Sequence, residues 1–446
     1  MKKLASAIFI LLLPICSCFW GQAAATYTPD FTIQSKAVFL MNLDTGDVLT
    51  EKNPDDQLPP ASVTKIMTAI LAYENTTDLE ELVTYPTYVQ DYLYLYQLEH
   101  GAISLGGMSA GEELTMTDLL YALLLPSGND AAMIIADKVG GSQENFVAMM
   151  NKRAKELGAT KTNFVNANGL YDERHLTTAR DMALIAKHFY EIPELMDIAC
   201  SLTYDTGPTN KRDNLPWQST NLMMSASNSY YYPGLRGIKT GTLPESGRCF
   251  VSSCARDGFN YLCVVLGGPY IDENTGEAMP NNTAFEDTAS LYDWVFKSFK
   301  VKTLIEKGKY VAEVPLRLSS ETDHIRVMTA DRFTALVHTS VDASSVTQVL
   351  DIPESLDAPI KMGVEIGEMR LMLSGEELGR VALLTADSVE ASPLLVLWER
   401  IKEITRSFWF KFTVTFIILL IVLYIVLMIV RNRNRRRQSY KPRRRI

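Results

Sequence analysis

The chain has 446 residues, 47% hydrophobic and 21% charged, a globular composition that excludes wholesale disorder. At roughly 100 to 200 residues per domain, the length allows two to four folded units. The net charge of −9 is uneven: nine Lys and Arg and no acid lie in 431–446, only Lys2 and Lys3 are charged before residue 26, and 26–430 carries −20. So acidic a body repels nucleic acid, and no nucleic-acid partner is expected.

The N-terminus reads Met1-Lys2-Lys3, an apolar run to Leu13, then Ala23-Ala24-Ala25. This is the pattern of a signal peptide over 1–25, cut after Ala25. Lys36–Leu43 reads as a strand, Asp44-Thr45-Gly46 as a turn and Asp47–Glu51 as the returning strand. After Pro59-Pro60, Ser62–Ala72 reads as a buried helix. Further helices are expected at Thr117–Val139 (broken near Pro126), Gln143–Leu157, Thr178–Tyr190 and Asp287–Phe299. Arg248–Ala255 and Tyr261–Gly267 read as strands joined by a turn at Asp257-Gly258. Helices interspersed with hairpins predict an α+β unit over 31–299 with an antiparallel sheet flanked by helices.

Beyond Phe299 the pattern changes. Short β-type runs such as Tyr310–Leu316, Phe333–His338 and Arg370–Leu373 predict a small β-rich domain over 301–391. Over 394–411, Leu394, Leu395, Leu397, Trp398, Ile401 and Ile404 recur near helical spacing between charges, as in an amphipathic helix on a membrane surface. Phe412–Val430 is free of charge for 19 residues. As a helix it covers about 28 Å, close to the bilayer core. The basic tail 431–446 then predicts, by the positive-inside rule, a cytoplasmic C-terminus and an extracytoplasmic body on a single-pass anchor. Cys200, Cys249, Cys254 and Cys263 are too scattered for a disulfide scaffold. CxxC and HExxH are both missing, so no metal and no other cofactor is expected.

Three short patterns carry chemistry. In Ser62-Val63-Thr64-Lys65, positions i and i+3 share a helix face, so hydroxyl and amine can meet. Serine needs a base to become a nucleophile, and lysine serves only if burial or a nearby cation lowers its pKa. Ser127-Gly128-Asn129 follows the apolar run Leu119–Leu125, and Lys239-Thr240-Gly241-Thr242 follows Leu235-Arg236-Gly237-Ile238. Lys239 offers positive charge to a carboxylate, and Gly241 lets a substrate backbone approach an edge strand. Each pattern alone is commonplace; the three in this order, in an exported and anchored chain, are not.

Together they resemble the active-site serine penicillin-binding proteins and β-lactamases. The surroundings Pro60–Ala69, Leu125–Ala132, Gly237–Gly241, Phe164–Leu170 and His175–Asp181 are similar to the D-alanyl-D-alanine carboxypeptidases, over about residues 31–391. The resemblance implies a β-lactamase/transpeptidase-like catalytic domain followed by the β-rich domain. It implies a substrate, the peptidoglycan stem peptide, and covalent inhibition by β-lactams. It also implies roles: Ser62 attacks the carbonyl between two terminal D-alanines, Lys65 is the general base, and Ser127 relays a proton to the departing D-alanine. Asn129, Lys239, Thr240, Gly241 and Thr242 bind substrate, and the N–H groups of Ser62 and Thr242 form the oxyanion hole.

Some positions depart from the pattern. Where many relatives have Thr two residues after the KTG glycine, this chain has Leu243, as if a hydroxyl had moved to Thr242. The stretch Glu81–Gly106, with Tyr85, Tyr88, Tyr92, Tyr94 and Tyr96, is unusually long; it reads as a surface insertion packed on the domain or as a lip of the cleft. Arg248 is read as a surface residue at a strand start, with help in binding the carboxylate as the alternative, His175 as a structural residue and Cys249 as a packed thiol. A β-lactamase is the nearest rival, but it usually has Ser-Asp-Asn and a downstream Glu; here position 128 is Gly and no Glu lies between Glu156 and Glu173. Endopeptidase action on cross-bridges uses the same chemistry. A non-catalytic wall-binding scaffold on the same fold is the rival of another class.

Overall fold

The computed structural model describes residues 27–256, 258–272 and 275–438, with side chains through Arg433. The expected signal peptide, Asp257 of the expected turn and the end of the basic tail lie outside the described residues. The chain forms two compact units divided between Ser298 and Phe299.

The first unit opens with the hairpin β1 (Ala37–Asn42) and β2 (Val48–Lys52), then a 3₁₀ turn at Ala61–Thr64 that runs into α1 (Lys65–Asn75). Next come β3 (Leu82–Thr84), α2 (Thr87–His100), β4 (Glu113–Thr115), α3 (Met116–Leu124), α4 (Asn129–Gly140) and α5 (Gln143–Glu156). Then follow α6 (Ala179–Tyr190), α7 (Pro193–Ala199), the short pair β5 (Thr203–Asp205) and β6 (Pro216–Gln218), the long strands β7 (Leu235–Leu243), β8 (Gly247–Arg256) and β9 (Phe259–Gly268), and α8 (Thr283–Ser298).

The main sheet is antiparallel with order β2-β1-β9-β8-β7, so β7 is an edge strand beside a face of helices. Local chemistry sets the helix ends. Thr115 and Asp118 close a capping box at α3, and the Thr178 and Ser142 side chains accept from Asp181 and Asn145 N–H at the starts of α6 and α5. Helix α1 is buried from Lys65 through Ala72 on every face. A helix apolar all round belongs in a core, and each large side chain there contributes about 1.5–3 kcal/mol. That is why Lys65 is buried: it rides on the innermost helix.

The expected helix over Thr117–Val139 is two helices. Between them the chain turns through Ser127 at φ +65°. Glu81–Gly106 is mostly α2, which buries Val89 and Leu93, packs on α4 and leaves Tyr88, Tyr92, Tyr94, Leu95 and Leu98 exposed. The insertion is thus packed on the domain through one stripe of α2 and through its flanks, where Val83 and Tyr85 are buried.

In the second unit, β10 (Phe299–Ile305) pairs with β13 (Phe333–His338). A six-stranded sheet combines β11 (Tyr310–Arg317), β12 (His324–Thr329), β14 (Thr347–Asp351), β15 (Leu356–Asp357), β16 (Glu365–Leu373) and β17 (Glu376–Thr385) in the order β14-β16-β17-β12-β11-β15. Its core includes Val314, Ile325, Val327, Met369, Leu371 and Leu383. Helix α9 (Pro393–Arg406) is amphipathic and ends before Ser407, and α10 (Phe408–Gln438) follows. Phe408–Arg433 is long and apolar enough to cross a membrane, and an 18-residue stretch within it has mean hydropathy 3.1.

Candidate active site

The site lies where α1, the Ser127 turn, the loop 164–170 and the edge strand β7 meet. Ser62 sits in the 3₁₀ turn, one turn before Lys65, so the sequence spacing puts their side chains together: Lys65 Nζ is 3.0 Å from Ser62 Oγ. Nζ also reaches Asn129 Oδ1 at 2.8 Å and the main-chain carbonyl of Asn168 at 2.6 Å. Lys65 is fully buried, and its pKa falls well below the usual lysine value. Burial is the main cause; the positive charge of Lys239 adds to it, and Asp130 opposes it. The result is an amine inclined to be neutral, within hydrogen-bond reach of a hydroxyl.

The Ser127 turn is strained and specific. A non-glycine residue at φ +65° costs of order 1–3 kcal/mol, which surrounding structure must hold. Gly128 is required by close approach: a Cβ there would lie 2.7 Å from Asp130 Oδ1 and 2.9 Å from the Ala122 carbonyl. The Asp130 carboxylate accepts from Gly106 N–H at 2.7 Å and from Ala131 N–H at 2.9 Å. The Gly106 carbonyl accepts from Trp217 Nε1 at 2.6 Å, and Asn129 N–H donates to the Ser104 carbonyl at 3.0 Å. Segment 104–106 thereby braces the turn. Burial raises the Asp130 pKa, and these N–H donors counter it.

The loop 164–170 is held from α1. Thr68 Oγ1 donates to the Ala167 carbonyl at 2.6 Å. Asn166 Oδ1 accepts from Gly169 N–H at 2.7 Å, folding the loop on itself. Gly169 has φ +84°, and a Cβ there would lie 2.0 Å from the Ala61 carbonyl oxygen. His175, buried, accepts from Val165 N–H at Nδ1 (3.0 Å), so the proton sits on Nε2 and bonds Thr64 Oγ1 (2.8 Å). The ring thus clamps the loop to the residue before Lys65, the structural part expected of it.

On β7, Lys239 is buried and its pKa is pushed down to about 7 by desolvation. Its ammonium donates to the Thr240 carbonyl at 3.0 Å, and Thr240 Oγ1 shares a hydrogen bond with Thr220 at 2.7 Å. Gly241 comes so close to the serine that a Cβ would lie 3.0 Å from Ser62 N. Alternation puts Lys239, Gly241 and Leu243 on one face of the strand and Thr242 on the other. The Thr242 hydroxyl therefore does not stand in for one at 243, contrary to the one-position shift suggested by the sequence. The side chains of 242 and 243 differ by a face, not by a step.

Ser62, Lys65, Asn129, Lys239 and Gly241 are thus brought together, with Ser127 in the turn that carries Asn129. Sequence reading missed Asp130, the Asn168 carbonyl and Gly169 as parts of the site; the Asn-rich stretch Asn166-Ala167-Asn168-Gly169 was the signal. Cys249 pairs with Gly241 across the sheet, but it is buried and its thiol is pushed up to about 11, so it packs rather than reacts. Arg248 Nη2 donates to the Met279 carbonyl at 2.7 Å, and the guanidinium lies over the Tyr270 ring.

Residues 22–269 match the D-alanyl-D-alanine carboxypeptidase family, and residues 299–391 match the C-terminal domain of penicillin-binding protein 5. The D-alanyl-D-alanine carboxypeptidase DacF of Bacillus subtilis is 28% identical over 419 residues, 92% of this chain and all of the relative. A D-alanyl-D-alanine carboxypeptidase of Streptomyces sp. strain K15 is 30% identical over 269 residues, 58% of this chain and 89% of the relative. The crystal structure of the D-alanyl-D-alanine carboxypeptidase DacD from Francisella tularensis shares the fold at 22% identity, with a TM-score of 0.60 over 82% of this chain and 96% of that one. The chain belongs to the D-alanyl-D-alanine carboxypeptidases, serine peptidases of the penicillin-binding type.

Proposed function

We propose that the reaction is carried by an acyl-enzyme on Ser62. Lys65 Nζ takes the Ser62 proton as Oγ bonds to the carbonyl carbon of the penultimate D-alanine. The oxyanion is held by the N–H groups of Ser62 and Thr242. The C–N bond then breaks, a proton reaches the leaving amine through Ser127, and D-alanine departs. Water hydrolyses the ester. Asn129 and the open edge of β7 hold the substrate backbone, and Lys239, with Thr240 beside it, draws the terminal carboxylate. The observation that carries this reading is the 3.0 Å approach of Lys65 Nζ to Ser62 Oγ at a fully buried lysine.

A β-lactam enters the same path and leaves a slowly cleared adduct on Ser62. Peptidoglycan stem peptides and β-lactams fit this family. For topology, the proposal is a cleaved signal peptide over 1–25, catalytic and β-rich domains outside the cytoplasmic membrane, α9 on its outer surface, and α10 crossing it once toward a cytoplasmic tail. The exposed Leu394, Leu397, Trp398, Ile401 and Ile404 of α9 support this.

The test is release of free D-alanine from a wall pentapeptide by the full-length chain in detergent, with Ser62→Ala beside it. Release by the parent and none by the variant is expected. Release by both, or by neither when both are folded, would contradict the reading.

A further inference from the structure

Strand β7 does not run regularly into Lys239. Arg236 stands opposite Ser253 of β8 and Lys239 opposite Val251, so β7 takes three steps where β8 takes two. The extra residue makes a bulge at Gly237-Ile238. Side chains alternate along a strand, and residues directly opposite share a face. Arg236, Lys239 and Gly241 therefore share the face of Val251 and Cys249, which lie in the core that includes Ile66 and Met67 of α1. Without the extra residue, alternation from Arg236 would turn Lys239 and Gly241 to the other face, where Phe250 meets Phe285 of α8. The bulge decides whether Lys239 looks toward Ser62.

A bulge takes backbone groups off the ladder, and buried ones need partners from elsewhere. Gly237 has φ +51°, and a Cβ there would lie 3.2 Å from Ala199 Cβ on α7. Its carbonyl accepts from Asn221 Nδ2 at 2.8 Å, and its N–H donates to Met224 Sδ at 3.2 Å. Asn221 is buried, and its Oδ1 accepts from Met223 N–H at 3.2 Å to cap the 3₁₀ turn Leu222–Met224. One amide thus holds the turn by its oxygen and the bulge by its nitrogen. Beside it, Thr220 N–H donates to the carbonyl of Leu125, two residues before Ser127, at 3.0 Å, and the Thr220 hydroxyl meets that of Thr240. Segment 220–224 fastens β7 on both sides of Lys239 and ties it to the end of α3.

We propose that Asn221 and Met224 are positioning residues for Lys239. They hold the extra residue of β7 in place, and with it the face that Lys239 and Gly241 present to Ser62. The inference rests on the part given to Lys239 in the carboxypeptidase reading.

The experiment uses the full-length chain in detergent and Asn221→Ser. Serine keeps an oxygen at the cap, but its side chain ends one atom short of the amide nitrogen that reaches Gly237. D-Alanine release from a wall pentapeptide is measured across pH, per site that penicillin titrates. In the variant kcat/KM should fall about ten- to hundred-fold, the cost of a small misplacement. Burial holds Lys239 down to about 7, so the decline of kcat/KM with pH should move up by about one unit once water reaches the amine. Lys65, its charged neighbour, keeps Ser62, Asn129 and the Asn168 carbonyl as partners in the variant. A role confined to the cap or to stability leaves the decline where it is in the parent. A parent-like rate, or a fall with the decline unmoved, overturns the inference. If Asn221→Ser binds no penicillin, Met224→Leu replaces it, removing the sulfur acceptor at nearly constant volume. Its decline should move the same way with a fall of about two- to five-fold, and an unmoved decline overturns the inference. A parent that binds penicillin but releases no D-alanine overturns the carboxypeptidase reading, and the part of Lys239 with it.

Discussion

His175 offers a test of how the site is held, because one ring joins α1 to the loop that supplies the Asn168 carbonyl to Lys65. Burial is the main reason its pKa is pushed down to about 4, with Asp172 pulling it up and Lys65 adding to the fall. Between pH 6.5 and about 4 the unfolded chain takes a proton that the folded one refuses. The neutral ring therefore contributes stability that is full above pH 6.5 and lost as pH falls toward 4. At 1.36 kcal/mol per pH unit this amounts to about 3 kcal/mol. His175→Ala strands Val165 N–H and Thr64 Oγ1 and leaves a void, a cost of about 2–5 kcal/mol at pH 7. Urea unfolding of both proteins at pH 7, 5.5 and 4 should show that deficit shrinking by about 3 kcal/mol toward acid. Carboxylates that titrate in both proteins cancel in the difference. A deficit constant with pH would refute the argument. Penicillin uptake by the variant should also slow, since Asn168 is no longer pinned.

Lys65→Arg replaces an amine inclined to be neutral with a group that holds its proton, so acylation by penicillin should fall about 10²–10⁴-fold; a rate within ten-fold of the parent would dismiss Lys65 as the base. Lys239, with a pKa pushed down to about 7, binds a carboxylate only when protonated, so kcat/KM for peptide should decline as pH rises through about 7. Lys239→Arg should move that decline to higher pH, and a profile identical to the parent's would count against the role. Gly241→Ala puts a methyl 3.0 Å from Ser62 N, beside the proposed oxyanion donor, and should cost about 10²–10³ in acylation rate on stopped-flow with a reporter β-lactam. Normal acylation would show that β7 does not approach the serine as described.

Much of this site was legible because its parts are local. The Ser62–Lys65 spacing is a helix-face rule, and the apolar run after it already placed that face in a core. Ser127-Gly128-Asn129 was legible as a break between helices, but not as a positive-φ turn, because part of what braces that turn, Ser104 and Gly106, comes from another segment of the chain. Helix α2 was unmarked because its apolar and aromatic residues do not repeat cleanly; only Val89 and Leu93 face inward, and tyrosine suits a strand as well as a helix. The contribution of Asn168 comes from its main chain, which side-chain patterns do not encode. The amphipathic stretch before the membrane span was visible from spacing, but its end at Arg406 was not, since the aromatic run from Phe408 continues the same apolar character into the next helix.

The central claim is that Ser62 is the atom acylated. Incubating the full-length chain with penicillin, then digesting it and mapping the adduct by mass spectrometry over time, tests it directly. The account predicts one adduct, on the peptide containing Ser62, that persists long after free drug is removed and is missing in Ser62→Ala. An adduct on Ser127, or rapid and complete turnover of the penicillin with no lasting adduct, would contradict it.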